Sequence, residues 1–553
     1  MGNLVLRVCL DHCYQQGWRA HSPRKRRHRR CHCWHLDGNH RACGAEYTGY
    51  LTRMQHDLPR FDNRMSDAEA LMWRVEKDPF LTSTFANITV LDSRPNFEAF
   101  VQRMDRASRI IPRLRQRVQP APATVGAPTW VRDTEFNIRH HVRYMALPAP
   151  GTMRQLLDLA SLITADAFDR ARPLWQFVIV DGLAGGKSAL IQKLHHTVTD
   201  GQGGVALSMQ FLDLERNSPP PPPLPKETPQ APESNSTTDL LSSTFADAMR
   251  APLGALRQVR ELLSDPTQLP GLGAQATATV RGLLAELNDV DSARSPLWTQ
   301  RSIQRRCEIL RAPYRPMLEA SRALGGKLNT AFLAAAADAA GEYHRQLGMP
   351  VETLRTSMAI STRSESSGGN AFTLARMLVP TGPMPIAERF AAINEAVSQA
   401  REQSKNASLD TLATMSSLLP TSVLTRIARA QSQTVDFATS NVRGAGIPLY
   451  ICGALVLENY PIGPLGGVAF NLTMLSYNHS LDMGLNIDTA AVAEPERLQQ
   501  CIQKSLHELM DYAPANKAGI PAPPNPRVTR WLKRLRLQLA TDARRATSRL
   551  PRR

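Results

Sequence analysis

Alternation of apolar and polar positions divides the chain into strand-like and helix-like runs. Gln176 to Asp181 and Ser188 to Leu194 are short runs rich in Val, Ile and Leu, joined by a Gly-rich turn, and together they predict a β-hairpin. Helical spacing of apolar residues follows in Gly204 to Leu214. Upstream the pattern predicts a short helix (Asp67 to Arg74), a strand (Thr84 to Leu91), a helix (Asn96 to Ile110), further strands and a helix (Thr152 to Ala165). Downstream, the Ala-rich run Thr330 to Tyr343 predicts a strong helix, for which Asn329 is a good N-cap. Strands and helices mixed in this way place the chain in the α/β class.

Length divides that pattern. At 553 residues the chain is too long for one core, so two domains plus tails are expected, and a hydrophobic content of 42% makes most of it globular. The proline-rich, polar stretch Asn217 to Asp239 cannot bury a core and predicts an exposed linker. From Asp239 to Asn288 apolar residues at helical spacing, Leu240 to Leu262 among them, predict a helical connector after it. The expected division is therefore a leader (1–64), a first domain (65–216), linker and connector (217–294), a second domain (295–513) and a tail (514–553).

The net charge of +17 suggests nucleic acid until it is placed along the chain. Residues 1–64 carry about +7 and residues 527–553 about +9, so the body between them is near neutral. The leader's block Pro23 to Arg30 has like charges and no apolar periodicity, which predicts a solvated, unstructured segment. Cys9, Cys13, Cys31, Cys33 and Cys43 lie there among several histidines, but their spacing fits no common zinc motif, so no metal site is expected. In the tail, Val528, Trp531, Leu532, Leu535, Leu539, Ala543, Ala546 and Leu550 form one helical stripe surrounded by Arg and Lys. That pattern suits a helix lying in a membrane interface, the alternatives being a helix docked on the body, a solvated tail or a charge-driven nucleic-acid contact. No secretory signal or spanning segment is read, and Cys307, Cys452 and Cys501 read as free thiols. The expected location is the cytoplasm, with peripheral association to the inner face of the membrane or to lipid droplets.

The candidate chemistry sits where the second hairpin strand ends, in His195-His196-Thr197-Val198-Thr199-Asp200-Gly201. Imidazole, with an ordinary pKa of about 6.5, can take and return a proton at neutral pH, as acyl transfer to a hydroxyl requires. Asp200, four residues after His196, can hold the loop by an ion pair, and Gly201 leaves room for a passing chain. The bland reading is a core histidine beside an Asp-Gly turn. Gly182 to Ser188 imitates a phosphate loop, but the glycine spacing is one residue short and a strand follows instead of a helix. His140-His141 falls in a strand-like stretch, where alternation sends the two rings to opposite faces and a structural role is expected.

HHTVTDG (His195 to Gly201) resembles the HHxxxDG signature of the CoA-dependent acyltransferase superfamily. Phe168 to Leu183, FDRARPLWQFVIVDGL, resembles the PLW block of bacterial, actinobacterial-type wax ester synthase/diacylglycerol acyltransferases. Leu328 to Ala339, Ala359 to Arg363 with Gly369-Asn370, Ser440 to Tyr450, Tyr460 to Gly467 and Ser476 to Asp488 are similar to further blocks of that family, in its order. The likeness runs from about Met65 to Ala513, and Met65 stands where family members begin. It implies two chloramphenicol-acetyltransferase-like domains facing each other across a substrate tunnel. It also implies His196 as general base, His195 shaping the site, and Asp200 holding the loop with an Arg partner. Gly201, Pro173, Leu174, Trp175, Asn329, Ser476 and Tyr477 become substrate-binding candidates; for Ser476 and Tyr477 an ordinary strand role stays open. The implied partners are acyl-CoA as co-substrate and diacylglycerol as acceptor, with no further cofactor and no nucleic acid. The rival acceptors are a long-chain alcohol, which would make the chain a wax ester synthase, and a carrier-bound substrate; a catalytically silent lipid binder is the rival of another class. Thr330, Arg443 and His479 depart from the family's usual Asp, Pro and Gly, which bears on substrate preference more than on fold.

Overall fold

A computed structural model describes residues 62–121, 127–199, 201–221, 293–361, 372–404 and 421–512. The expectations for the leader up to residue 61, for residues 222–292 of the linker and connector, for the tail and for Asp200 fall outside the described residues.

Local chemistry accounts for the first elements. Ser66 and Glu69 form a capping box, each side chain accepting the other's backbone N–H (3.3 and 2.9 Å), and this starts α1 (Asp67–Val75). After a 3-10 turn (Pro79–Leu81) come β1 (Thr84–Leu91) and α2 (Phe97–Ile110), the latter capped by the Asn96 side chain. A small hairpin of β2 (Gln116–Gln119) and β3 (Thr129–Arg132) is followed by α3 (Ile138–His141) and β4 (Val142–Ala146). His140 and His141 are thus helical, contrary to the strand expected. The Asn137 side chain accepts the Arg139 N–H at 2.9 Å and turns the chain into that single helical turn. A second capping box, Thr152 with Gln155, opens α4 (Met153–Ala165).

The expected hairpin is present as β5 (Trp175–Leu183) and β6 (Lys187–His195), with Gly185 and Gly186 at positive φ in its turn. Then come α5 (Gly201–Ser208) and β7 (Leu212–Asp213). The second half contains β8 (Arg305–Pro313), α6 (Tyr314–Ala323), α7 (Leu328–Gln346), β9 (Thr353–Ser361), β10 (Phe372–Pro380), α8 (Ile386–Ser404) and α9 (Thr421–Gln433). It ends with β11 (Phe437–Arg443), β12 (Tyr450–Ile451), β13 (Ala454–Ile462), β14 (Phe470–Tyr477), β15 (Ser480–Asp488) and α10 (Pro495–Met510).

Two mixed sheets result, in the orders β4-β5-β6-β1-β13-β12-β7 and β10-β9-β11-β14-β15-β8. Sequence position would leave residues 450–462 in the second half. Instead β13 pairs antiparallel with β1, from Ala86 opposite Ile462 to Leu91 opposite Val456, inside the first half's sheet. A tight turn at Cys452-Gly453, both at positive φ, folds β12 back on β13. On one face of the first sheet, Ala86, Ile88, Val90, Val178, Val180, Ala189 and Ile191 pack against Leu156, Leu157, Ala160 and Ile163 of α4. In the second half, the apolar interior of α7 fills a core with Leu472, Met474, Met483 and Leu485 of the central strands.

Candidate active site

β6 lies between β5 and β1, so its end is held from both sides. The His195 N–H donates to the Leu174 carbonyl (3.1 Å) and the His196 N–H to the Ser83 carbonyl (3.0 Å). The Val198 N–H then closes a turn onto the His195 carbonyl at 2.9 Å, and α5 begins at Gly201. The register therefore delivers two adjacent imidazoles at the mouth of the sheet.

They have different environments. His195 is buried, 1% exposed. Its Nδ1 accepts the Thr197 N–H at 3.1 Å, so its proton sits on Nε2, which donates to the Glu76 carboxylate. With both nitrogens committed, His195 is a fixed strut. Burial would raise the Glu76 pKa, but the hydrogen bond from His195, with donors from Thr82 and Ser83, outweighs it and holds the carboxyl below its usual range. Glu76 accepts the Thr82 hydroxyl (2.8 Å), the Ser83 N–H (3.2 Å) and the Thr84 hydroxyl (3.4 Å). The His196 ring is half-buried and lies 4.6 Å, centroid to centroid, from the ring of Phe85 on β1.

Glu76 was missed in the sequence. Its partner is 119 residues away, and only the pairing of Thr84 with His195 across β1 and β6 brings them together. The polar run Thr82-Ser83-Thr84 at the foot of β1 was the available signal. Lys193 was missed as well: two residues before His195, its ammonium donates to the Asp166 carbonyl (2.6 Å) over the Phe168 ring, and burial lowers its pKa to about 8.

The other expected site residues are spread out. Pro173 and Leu174 are buried. Trp175 is buried too; its indole N–H donates to the Leu114 carbonyl at 2.8 Å and its face stacks on His141 at 4.6 Å. Leu174 and Trp175 belong to the apolar core of the first half. Asn329 is not the N-cap: α7 starts at Leu328 behind Lys327, and the Asn329 amide faces the Met358 sulfur at 3.0 Å. Asn329 lines a pocket of about 320 Å³ with Gly326, Lys327, Thr330, Asn394 and Arg401, and no residue of the histidine loop lines it. Thr330, the departure from Asp, ties α7 to α8 through Asn394 at 3.2 Å. Ser476 is half-buried and accepts the Gly444 N–H at 3.3 Å. The Tyr477 hydroxyl is consumed in the core, accepting the Leu449 N–H and donating to the Val456 carbonyl, each at 2.9 Å. Gly201 opens α5 as described, while its neighbour Asp200 lies outside the described residues. Among the described residues no three His, Cys, Asp or Glu side chains converge as metal ligands, and no helix is long and apolar enough to cross a membrane.

Comparison with known proteins decides the family. The profile of the wax ester synthase/diacylglycerol acyltransferase catalytic domain matches residues 64–332, and that of the WS/DGAT C-terminal domain matches residues 368–510. The chain belongs to the wax ester synthase/diacylglycerol acyltransferase family. A protein of Mycobacterium tuberculosis, provisionally named a diacylglycerol O-acyltransferase, is 32% identical over 483 residues, covering 84% of this chain and 94% of the relative. A second one from that organism, tgs1, is 25% identical and covers 76% and 90%. Among solved structures, the wax ester synthase/diacylglycerol acyltransferase from Marinobacter aquaeolei VT8 superposes with a TM-score of 0.54 at 21% identity, covering 81% of this chain and 99% of that one. The first condensation domain of the calcium-dependent antibiotic synthetase gives 0.53 at 13%, covering 83% and 98%. These neighbours identify the fold as two chloramphenicol-acetyltransferase-like halves, as the sequence blocks implied. The family makes the chain an acyl-CoA-dependent acyltransferase.

Proposed function

We propose that the chain moves a long-chain acyl group from acyl-CoA to the free hydroxyl of diacylglycerol, making triacylglycerol, with His196 as general base. One observation carries the choice of base: His195 is locked between Thr197 and Glu76, so His196 is the histidine of the pair placed to exchange a proton. The imidazole takes the proton of the acceptor hydroxyl as its oxygen attacks the thioester carbonyl. The tetrahedral intermediate then collapses, the C–S bond breaks, and His196 returns the proton to the departing CoA thiolate. No acyl-enzyme forms, and acyl-CoA is consumed as a co-substrate with no further cofactor.

Diacylglycerol as acceptor is supported by the names of the mycobacterial relatives. A long-chain alcohol is the second reading, supported by the double name of the Marinobacter neighbour. Both acceptors are met at lipid surfaces, which the basic, amphipathic residues 527–550 suit.

Release of free CoA thiol from palmitoyl-CoA, measured with diacylglycerol, hexadecanol or no acceptor, tests the proposal. Diacylglycerol-dependent release is expected, falling on the order of a hundredfold to ten-thousandfold in His196→Ala. Full activity in a folded His196→Ala would sink the mechanism, and release with hexadecanol alone would replace the acceptor. No release with either would leave a lipid binder or an unusual acceptor as the better reading.

A further inference from the structure

We infer that Glu76 is the positioning residue of this active site, bracing His196 through two separate routes. The inference rests on the reading of His196 as the base.

One route runs through the backbone. The Glu76 carboxylate accepts the Ser83 N–H at 3.2 Å, and the Ser83 carbonyl accepts the His196 N–H at 3.0 Å. The other runs through the neighbouring side chain. Glu76 holds Nε2 of His195, and the other end of that ring holds the Thr197 N–H at 3.1 Å. His196 is thus fixed on both sides in sequence by groups that converge on one carboxylate. Glu76 is itself well anchored: it is the C-cap of α1, and the loop after it is gripped by the second half. Arg429 of α9 pairs with Asp78 at 3.2 Å and lies over the Phe80 ring at 4.1 Å, while Arg305 donates to the Pro79 carbonyl at 3.4 Å.

The chemistry requires a carboxylate. Every group around Glu76 is a donor: the Thr82 and Thr84 hydroxyls and the Ser83 N–H on Oε1, and the His195 Nε2–H on Oε2. A carboxylate accepts at both oxygens; an amide accepts at one and donates at the other. Glutamine of the same shape therefore satisfies the Ser83 side or the His195 side, but not both. If its NH2 faces His195, the proton must move to Nδ1, which can then turn it to the Thr197 hydroxyl at 2.7 Å but no longer accepts the Thr197 N–H. Either way one brace on His196 is lost.

The test is steady-state kinetics of the full chain with palmitoyl-CoA and the acceptor used by the wild type, on Glu76→Gln, Thr82→Val and His196→Ala, with Glu76→Gln also built into His196→Ala. Glu76→Gln is expected to lower kcat about 10- to 100-fold with KM for both substrates within about twofold, the signature of a misplaced base. In the His196→Ala background it should lower the residual rate no further, because Glu76 acts through His196. Thr82→Val, which removes one donor of the loop from a half-buried side chain, should lower kcat several-fold and stay folded even if Glu76→Gln does not. A folded Glu76→Gln with wild-type kcat, an undiminished effect without His196, or wild-type kinetics in Thr82→Val beside an unfolded Glu76→Gln would each overturn the inference. A wild type that transfers no acyl group overturns the acyltransferase reading instead.

Discussion

Lowering the pH from 7.5 to 5 should destabilise this fold through one buried histidine, His141. Its ring lies between Phe136 and Trp175, with centroid separations of 5.1 and 4.6 Å and interplanar angles of 13° and 18°. Nδ1–H donates to the Trp175 carbonyl at 2.8 Å, and Nε2 is buried with no partner among the described residues. A proton on Nε2 would put a charge into an apolar stack, so burial lowers the pKa from 6.5 to about 4. The sign follows from linkage. Between pH 6.5 and 4 the unfolded chain binds the proton and the folded chain does not, so stability falls as the pH falls; below about 4 both states are protonated and the loss is complete. A difference of 2.5 pKa units is worth about 3 kcal/mol in full, of which about 2 kcal/mol is lost by pH 5. Urea unfolding at pH 7.5 and 5, on the wild type and on His141→Phe, measures it. The variant keeps an aromatic ring in the stack but strands the Trp175 carbonyl, so it should be less stable at pH 7.5 by about 1–3 kcal/mol. Its deficit should shrink by about 2 kcal/mol at pH 5, because it has no proton to gain. A deficit equal at the two pH values would refute the argument.

Tyr477→Phe removes a hydroxyl that satisfies two backbone groups of the core, so it should cost about 1–3 kcal/mol in urea unfolding while leaving kcat unchanged. A large fall in kcat at unchanged stability would return Tyr477 to the substrate site. His479 sits at φ +67° in the β14–β15 turn, exposed, where the family's usual Gly carries no Cβ penalty. His479→Gly should therefore raise stability by up to about 1 kcal/mol by the same measurement, the relief of backbone strain exceeding the entropy gained by the unfolded chain. Trp175→Phe shortens a buried ring and loses the bond to Leu114, so it should cost about 1–3 kcal/mol, with KM for acyl-CoA unmoved; a raised KM with unchanged stability would restore Trp175 as a substrate contact.

What could be read in the sequence was what is local. The hairpin that delivers His195 and His196 is set by two apolar runs and a Gly turn, and the helices begin where Ser66, Asn96 and Thr152 cap them. The family blocks identified the fold, because their order along the chain carries information that periodicity does not. The roles of single residues rest on less than the fold does. Trp175 and Tyr477 lie in matching blocks, yet both spend their polar atoms on the backbone of the core. Asn329 has the chemistry of a cap, but the helix begins one residue earlier and its amide turns to Met358. Glu76 could not be read, since an acidic residue at a helix end looks like any solvated carboxylate until a strand pairing sets it against His195.

The exchanged strand is the most consequential of the features that sequence position hides. β13 alternates well enough to be read as a strand, but alternation does not say which sheet it joins. Its place next to β1 puts a strand of the second half two positions from β6 in the same sheet, so backbone hydrogen bonds link the halves beside the histidine loop. The link continues on the far side of β13, where the Asn459 N–H donates at 2.8 Å to Asp482 of β15, fully buried in the second sheet. A hinge that parted the halves along this seam would have to break the β1–β13 ladder and take one donor from the buried Asp482 carboxylate, which would keep Arg311 at 2.9 Å and the Ser480 hydroxyl at 2.6 Å; the ladder is the costlier loss. The seam next to the histidines therefore ties the two halves together inside the first sheet, between β6 and β12.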